Sequence, residues 1–317
     1  MHAHEAGALH AEGYRGPAWL ASPVDVNDLV PSLWASSVRR GADGILTVGG
    51  VAADRIARDF GTPAYVIDED DFRSRAREFK QTYADVFERL SGADVFYAGK
   101  AFLCTEVARW VHQEGLCLDV CSGGELAVAI RAGLPGERIG VHGNNKSMPE
   151  IEAALRHGVA RVVVDSFDEI ERVSAVAARL GVVAPVLVRV TVGVEAHTHE
   201  FIATAHEDQK FGFSLSNGDA FEAVRRIAGH VGTLRLLGLH SHIGSQIFDV
   251  SGFEVSARRV IGLHTRVANE LGLELPELDL GGGFGIAYTT EHDPLTPRRL
   301  ATGMADIVER ECRAENV

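Results

Sequence analysis

Residues 185–192 read PVLVRVTV, a run of aliphatic and β-branched residues broken only by Arg189 and Thr191. A strand with one wet face alternates apolar and polar residues. A run that is apolar throughout suits a strand buried on both faces of a parallel sheet. Working outward, comparable runs recur at 94–97 (DVFY), 117–120 (CLDV), 138–141 (RIGV), 161–165 (RVVVD), 234–240 (LRLLGLH) and 277–280 (ELDL). Stretches with apolar residues at helical spacing lie between them, among them 147–157, 166–180 and 251–271, with a last one at 297–313. A charged helical stretch at 69–90 precedes the series, and 62–68 (TPAYVID) reads as a separate strand. Repeated βα units predict an open doubly wound sheet or a closed (β/α)8 barrel. The barrel-like strands number seven, whereas a closed barrel needs eight.

The chain has 317 residues, 46% of them hydrophobic and 24% charged, which excludes wholesale disorder and allows a large core. The formal net charge of -13 disfavours nucleic acid and anionic membranes, which both need clustered Lys and Arg. Cys104, Cys117, Cys121 and Cys312 are too few and too scattered for a disulfide scaffold, and they read as small apolar residues. No apolar run is long enough for a membrane span, and residues 1–13 lack the basic-then-apolar order of a secretory signal. A cytoplasmic protein is expected. Residues 1–45, interrupted by Pro17, Pro23 and Pro31, read as an irregular arm.

Polar and glycine-rich residues stand just after the strands, which in a barrel is the rim where active sites are built. Lys100 closes an apolar strand in 95–102 (VFYAGKAF), where partial desolvation would lower its pKa and favour Schiff-base chemistry; a surface lysine in a turn is the alternative. Gly281, Gly282 and Gly283 in 280–285 (LGGGFG) let the backbone approach an anion, although the pattern is neither a dinucleotide fingerprint nor a P-loop. In 239–246 (LHSHIGSQ), His240 and His242 are two apart, which suits a metal pair or one buried and one functional histidine, and Ser245 offers a hydroxyl to a phosphate. Asp119 and Arg189 sit inside apolar strands, so each needs a partner, a donor or cation for Asp119 and an anion for Arg189. His197, His199 and His206 form a histidine-rich stretch whose spacing fits no standard zinc site; an ordered polar loop is expected there and no metal.

In order, the chain carries Tyr97-Ala98-Gly99-Lys100, Asp119-Val120-Cys121-Ser122 with Gly124-Glu125, His242-Ile243-Gly244-Ser245 and Gly281-Gly282-Gly283. This succession resembles the fold-type III pyridoxal-phosphate decarboxylases, whose barrel is of the alanine racemase and ornithine decarboxylase type. The stretches 66–77, 116–128, 142–147, 191–212 and 239–250 are similar to the actinobacterial diaminopimelate decarboxylase branch of that family. The resemblance covers about residues 47–317 and accounts for the histidine-rich stretch without a metal. It implies that pyridoxal 5'-phosphate is the cofactor, that Lys100 carries it, and that His242 stacks on its ring. It further implies that Ser245 and Gly281–Gly283 hold its phosphate and that Asp119 and Arg189 lie around it. The reaction implied is loss of a carboxylate from meso-2,6-diaminopimelate to give L-lysine and carbon dioxide, in lysine biosynthesis, by a homodimer in the full-length relatives.

The family's Glu-Pro-Gly-Arg motif on the eighth barrel strand is absent, as is its C-terminal β domain. The expectation is therefore an incomplete barrel over 69–317, little or no catalysis by the 317-residue chain alone, and an arm over 1–68 whose strand joins the missing β domain in relatives. Alternatives are an ornithine, arginine or carboxynorspermidine decarboxylase, a non-catalytic homologue like the antizyme inhibitors, and an open-sheet sugar-phosphate or nucleotide enzyme that leaves Lys100 without a role.

Overall fold

The computed structural model describes residues 27–193 and 210–317, which fall into two compact units. Within the first, Met1–Asp68 with Ala287–Asp293, β1 (Arg39–Arg40), β2 (Leu46–Val48) and β3 (Val51–Ala52) form a small antiparallel meander, followed by α1 (Ala53–Phe60). The Ser37 hydroxyl accepts the Gly49 N–H at 2.8 Å and donates to Asp68. The arm read as irregular over 1–45 thus contains a strand where residues 39–40 pair with 46–47. Conversely, the segment 62–68 is not a strand among the described residues, and Tyr65, Val66 and Ile67 are exposed. A β-rich composition makes a strand only where a partner edge takes up its N–H and C=O groups.

The second unit, Glu69–Ile286 with Pro294–Val317, begins with α2 (Glu69–Phe87) and then alternates strands and helices. Its elements are β4 (Phe96–Ala98), α3 (Thr105–Gln113), β5 (Cys117–Val120), α4 (Gly123–Ala132), β6 (Ile139–Val141), α5 (Met148–His157), β7 (Arg161–Val164), α6 (Phe167–Leu180), β8 (Ala184–Thr191), β9 (Phe213–Ser214), α7 (Asp219–Gly229), β10 (Leu234–His240), α8 (Ser251–Leu271), β11 (Glu277–Asp279) and α9 (Pro297–Glu315). Serines start several helices: Ser122, Ser147 and Ser166 each accept the N–H of a glutamate three residues on, and Ser147 with Glu150 closes a full capping box.

Seven parallel strands pair in the order β11-β10-β8-β7-β6-β5-β4, and β9 adds a short parallel contact to β8. The order never reverses, which rules out the doubly wound alternative. Two side-chain contacts show that the sheet curls. Arg161 on β7, the middle strand, pairs with Glu277 on β11 and stacks 4.6 Å over the Phe96 ring on β4. In a flat sheet β4 and β11 would each lie about 14 Å from β7, beyond an arginine's reach. The His142 ring, just past β6, likewise lies edge-on to His240 on β10 with centroids 5.0 Å apart.

The unit is therefore a (β/α) barrel arc, and among the described residues no strand bridges β11 and β4. Outward residues such as Val162, Val164, Val186 and Val188 join the large core under the helices, whereas Val163, Leu187 and Leu237 form a small separate cluster. No described helix is long and apolar enough to cross a membrane.

Candidate active site

Parallel strands deliver their C-terminal ends to one rim. Lys100 follows β4, Asp119 lies on β5, His142 follows β6, Asp165 follows β7, Arg189 lies near the end of β8, His240 ends β10, and Gly281 follows β11. Lys100 is exposed, so the desolvation expected for it is not found. The reason is topological: β4 stands at one end of the strand order with a neighbour on one side only. Its ammonium still acts on the rim, since it contributes to the lowered pKa of both His240 and His242.

The two histidines have separate environments. His240 is 3% exposed, and burial first, then His142 and Arg189, push its pKa well below the ordinary value. Its Nδ1 is buried without a hydrogen-bond partner. His242 is half-buried, and burial followed by the charges of Lys100, Arg189 and His142 lowers its pKa to about 3. It is therefore a neutral ring at the rim at physiological pH. The partner required by Asp119 is His142, whose Nε2 lies 3.1 Å from its Oδ1.

Arg189 has the anion it requires: its Nε lies 3.8 Å from Oδ1 of Asp165, and its guanidinium sits 4.4 Å over the Phe211 ring. Asp165 also accepts the Gly212 N–H at 2.9 Å, and burial raises its pKa. Beneath them Lys146 donates to both oxygens of Glu169 (3.0 and 3.1 Å), to the Val163 carbonyl (2.7 Å) and to the Gly143 carbonyl (2.6 Å). All of its protons are thereby committed, and the turn after β6 is tied to the end of β7.

The glycine turn is built tightly. Gly281 and Gly283 have φ of 71° and 88°, and a Cβ on them would lie 2.4 Å from the Ser241 carbonyl oxygen and 1.9 Å from that of Gly244. Only glycine fits either position. The Ile247 N–H donates to Gly283 at 2.9 Å and the Gly285 N–H to Ile247 at 2.8 Å, which zips the turn to 244–247 and brings exposed Ser245 beside it. A Cβ on Gly282, by contrast, would meet nothing within 4 Å, so that backbone is open to an incoming group.

The structure thus brings Asp119, Arg189, His242, Ser245 and the three glycines to the rim that carries Lys100. His197, His199 and His206 lie outside the described residues, and no described group of His, Cys, Asp or Glu could hold a metal ion. All four cysteines are free thiols. Sequence reasoning missed His142, Lys146, Asp165, Glu169 and Asp279. A usable signal existed for His142 and Asp165, which, like Lys100, directly follow apolar runs.

Residues 69–317 match the family described as "Pyridoxal-dependent decarboxylase, pyridoxal binding domain". The chain is 54% identical over 290 residues to the diaminopimelate decarboxylase of Mycobacterium tuberculosis, covering 90% of this chain and 63% of that protein. It is 50% identical to the diaminopimelate decarboxylase of Mycobacterium leprae, over 99% of this chain and 66% of the relative. Among solved structures, a diaminopimelate decarboxylase from M. jannaschii in complex with L-lysine superposes with a TM-score of 0.76 at 29% identity, over 90% of this chain and 64% of that one. The chain therefore spans somewhat under two thirds of the length of these relatives.

Proposed function

We propose, since this chain belongs to the pyridoxal-dependent decarboxylase family through its pyridoxal-binding domain, that it forms the cofactor-holding barrel of a diaminopimelate decarboxylase. The reaction is the release of carbon dioxide from meso-2,6-diaminopimelate to leave L-lysine, a step of lysine biosynthesis. The observation that carries this reading is the convergence on one rim of a lysine, a neutral histidine, a buried arginine and an open glycine turn. The identity to mycobacterial diaminopimelate decarboxylases supports the choice of substrate.

The residues present fit pyridoxal 5'-phosphate. A dianionic phosphate suits amides that donate to nothing in the protein, and the amides of Gly282 and Gly283 make no hydrogen bond among the described residues. Ser245 stands beside them, its Cα 3.1 Å from where a Cβ on Gly283 would lie. When bound, the cofactor supplies an electron sink for the carbanion left by carbon dioxide.

The remaining roles fall to the chain. Lys100, exposed on the rim, is the amine that would hold the cofactor through its aldehyde. His242 offers an uncharged ring face, and its low proton affinity keeps it uncharged beside Lys100 and Arg189. Arg189, locked over Phe211 and paired with Asp165, presents a fixed positive charge. Asp119, oriented by His142, supplies the negative counterpart. By the same resemblance the enzyme works as a cytoplasmic homodimer, and four free thiols accord with a reducing compartment.

The test is to add pyridoxal 5'-phosphate to the purified chain and to Lys100→Ala, then titrate each with meso-diaminopimelate or L-ornithine. A visible absorption band that Lys100→Ala lacks, and that meso-diaminopimelate alone perturbs, supports the reading. A band of equal strength in both proteins removes Lys100 from the site. A response to L-ornithine alone reassigns the substrate.

A further inference from the structure

The family reading assigns the phosphate to the glycine turn but leaves open what holds the turn in shape. Asp279, the last residue of β11, touches both walls of that cradle. Its backbone carbonyl accepts the Ser241 N–H at 2.8 Å, which fixes the end of β10 just before His242 and Ser245. Its side-chain Oδ1 accepts the Gly281 N–H at 2.8 Å, which fixes the start of the glycine turn.

We propose that Asp279 is a positioning residue for phosphate binding: by engaging the Gly281 N–H from beneath, it holds the turn in the left-handed conformation that leaves the Gly282 and Gly283 amides free for the ligand. Without this acceptor, the Gly281 N–H would be left without its partner or the turn would swing to find another. Either change misplaces the donors that follow. The sequence spacing, an aspartate two residues before a glycine of positive φ, is what lets one carboxylate reach that amide.

On charge alone, a carboxylate under a phosphate is ill chosen. Burial, reinforced by Asp119, raises the pKa of Asp279, while His142, the Gly281 amide and Arg161 act in the opposite sense. The net shift favours the uncharged acid and so weakens repulsion of a dianion. The protonated acid keeps a carbonyl oxygen to accept the Gly281 N–H. An asparagine offers the same oxygen at nearly the same volume.

This inference rests on the phosphate assignment above, and the experiment separates the two. Pyridoxal 5'-phosphate and phosphate-free pyridoxal are each titrated into the wild-type chain, Asp279→Ala and Asp279→Asn, followed by visible absorbance. Asp279→Ala is expected to weaken pyridoxal 5'-phosphate binding about tenfold, the loss expected when a buried donor is orphaned. Binding of pyridoxal should change little, and Asp279→Asn should recover most of the loss. General damage to the fold would weaken both ligands alike. Equal weakening of both, or none, overturns the inference while leaving the function standing. A wild-type chain that binds neither ligand overturns both readings. If Asp279→Ala does not fold, Asp279→Leu, of similar volume and without an acceptor, takes its place under the same criteria.

Discussion

His242 makes stability depend on pH in a direction that can be worked out. Its folded pKa is about 3 and its ordinary value is 6.5. Between those limits the unfolded chain takes up a proton at residue 242 and the folded chain does not. The stabilisation is therefore complete above 6.5 and is lost progressively as pH falls towards 3. Each pH unit inside the window is worth about 1.4 kcal/mol, so a drop from pH 7 to 5 costs about 2 kcal/mol if burial is complete. His242 is only half-buried, and water on its open side reduces that cost to roughly 1 kcal/mol. Asp165, Glu169 and Asp279 have raised pKa values and act with the opposite sign: their contributions strengthen in acid and fade as pH rises through their folded values. The measurement must therefore be a difference. Urea unfolding of the wild-type chain and of His242→Gln, each at pH 7 and pH 5, cancels the carboxyls and His240 and leaves the His242 contribution. The wild type should lose about 1 kcal/mol more than the variant. Equal losses, or a larger loss in the variant, would refute the view that His242 is held neutral by its surroundings.

Three further substitutions probe the supports of the site. Lys146→Met leaves the Glu169 carboxylate buried without its counter-charge and should cost about 3–5 kcal/mol in chemical denaturation, with much of it recovered in the double variant with Glu169→Gln. Gly283→Ala drives a Cβ to 1.9 Å from the Gly244 oxygen at a φ of 88°, so the turn must rearrange; pyridoxal 5'-phosphate affinity should fall at least tenfold in the same absorbance titration, by the loss of aligned donors. Ser147→Ala removes the capping box of α5 and should lower stability by about 1 kcal/mol, seen as a fall in Tm of roughly 2–4 °C, with cofactor binding retained.

The barrel was legible because its strands are buried on both faces. CLDV and LRLLGLH coincide with β5 and β10 to the residue, since apolar runs this short, bounded by glycine and polar turns, favour buried strands over helices. The meander of β1, β2 and β3 was not legible. Its strands are two or three residues long, none of their residues is buried, and their pairing depends on contacts that leave no periodic trace. The segment 62–68 shows the converse error: the composition of a strand with no ladder to join. At the rim, the order of short motifs singles out Lys100, Asp119, His242, Ser245 and the glycines as candidates, and the fold brings them to one end of the strands. The supporting charges stayed hidden because their partners are distant in sequence. Lys146 meets Glu169 across 23 residues and Arg161 meets Glu277 across 116, and only the curl of the sheet puts the second pair within reach.

That curl also explains where the protein tolerates imperfect hydrogen bonding. Low in the arc, Arg161 reaches Glu277 with Nη2 donating at 3.2 Å; its Nε lies 2.9 Å from the other oxygen but is too poorly aligned to bond. Nearer the rim, Asp165 Oδ1, in ion-pair range of Arg189, and His240 Nδ1 are buried without a hydrogen bond, and the Gly282 and Gly283 amides donate to nothing described. A buried orphan polar atom costs about 1–3 kcal/mol, and natural sequences keep few of them. Of the four orphan side-chain atoms among the described residues, only His264 Nδ1 lies away from this interior. Elsewhere the unit satisfies its polar groups closely, as the capped helices and the fully committed Lys146 show. Three of the four orphans lie inside the arc and two of them near the rim, so they are not a general failure of packing. Under the function proposed above, a polar, phosphate-bearing ligand would complete those nearest the rim, and its binding free energy would add to the stability of the folded chain.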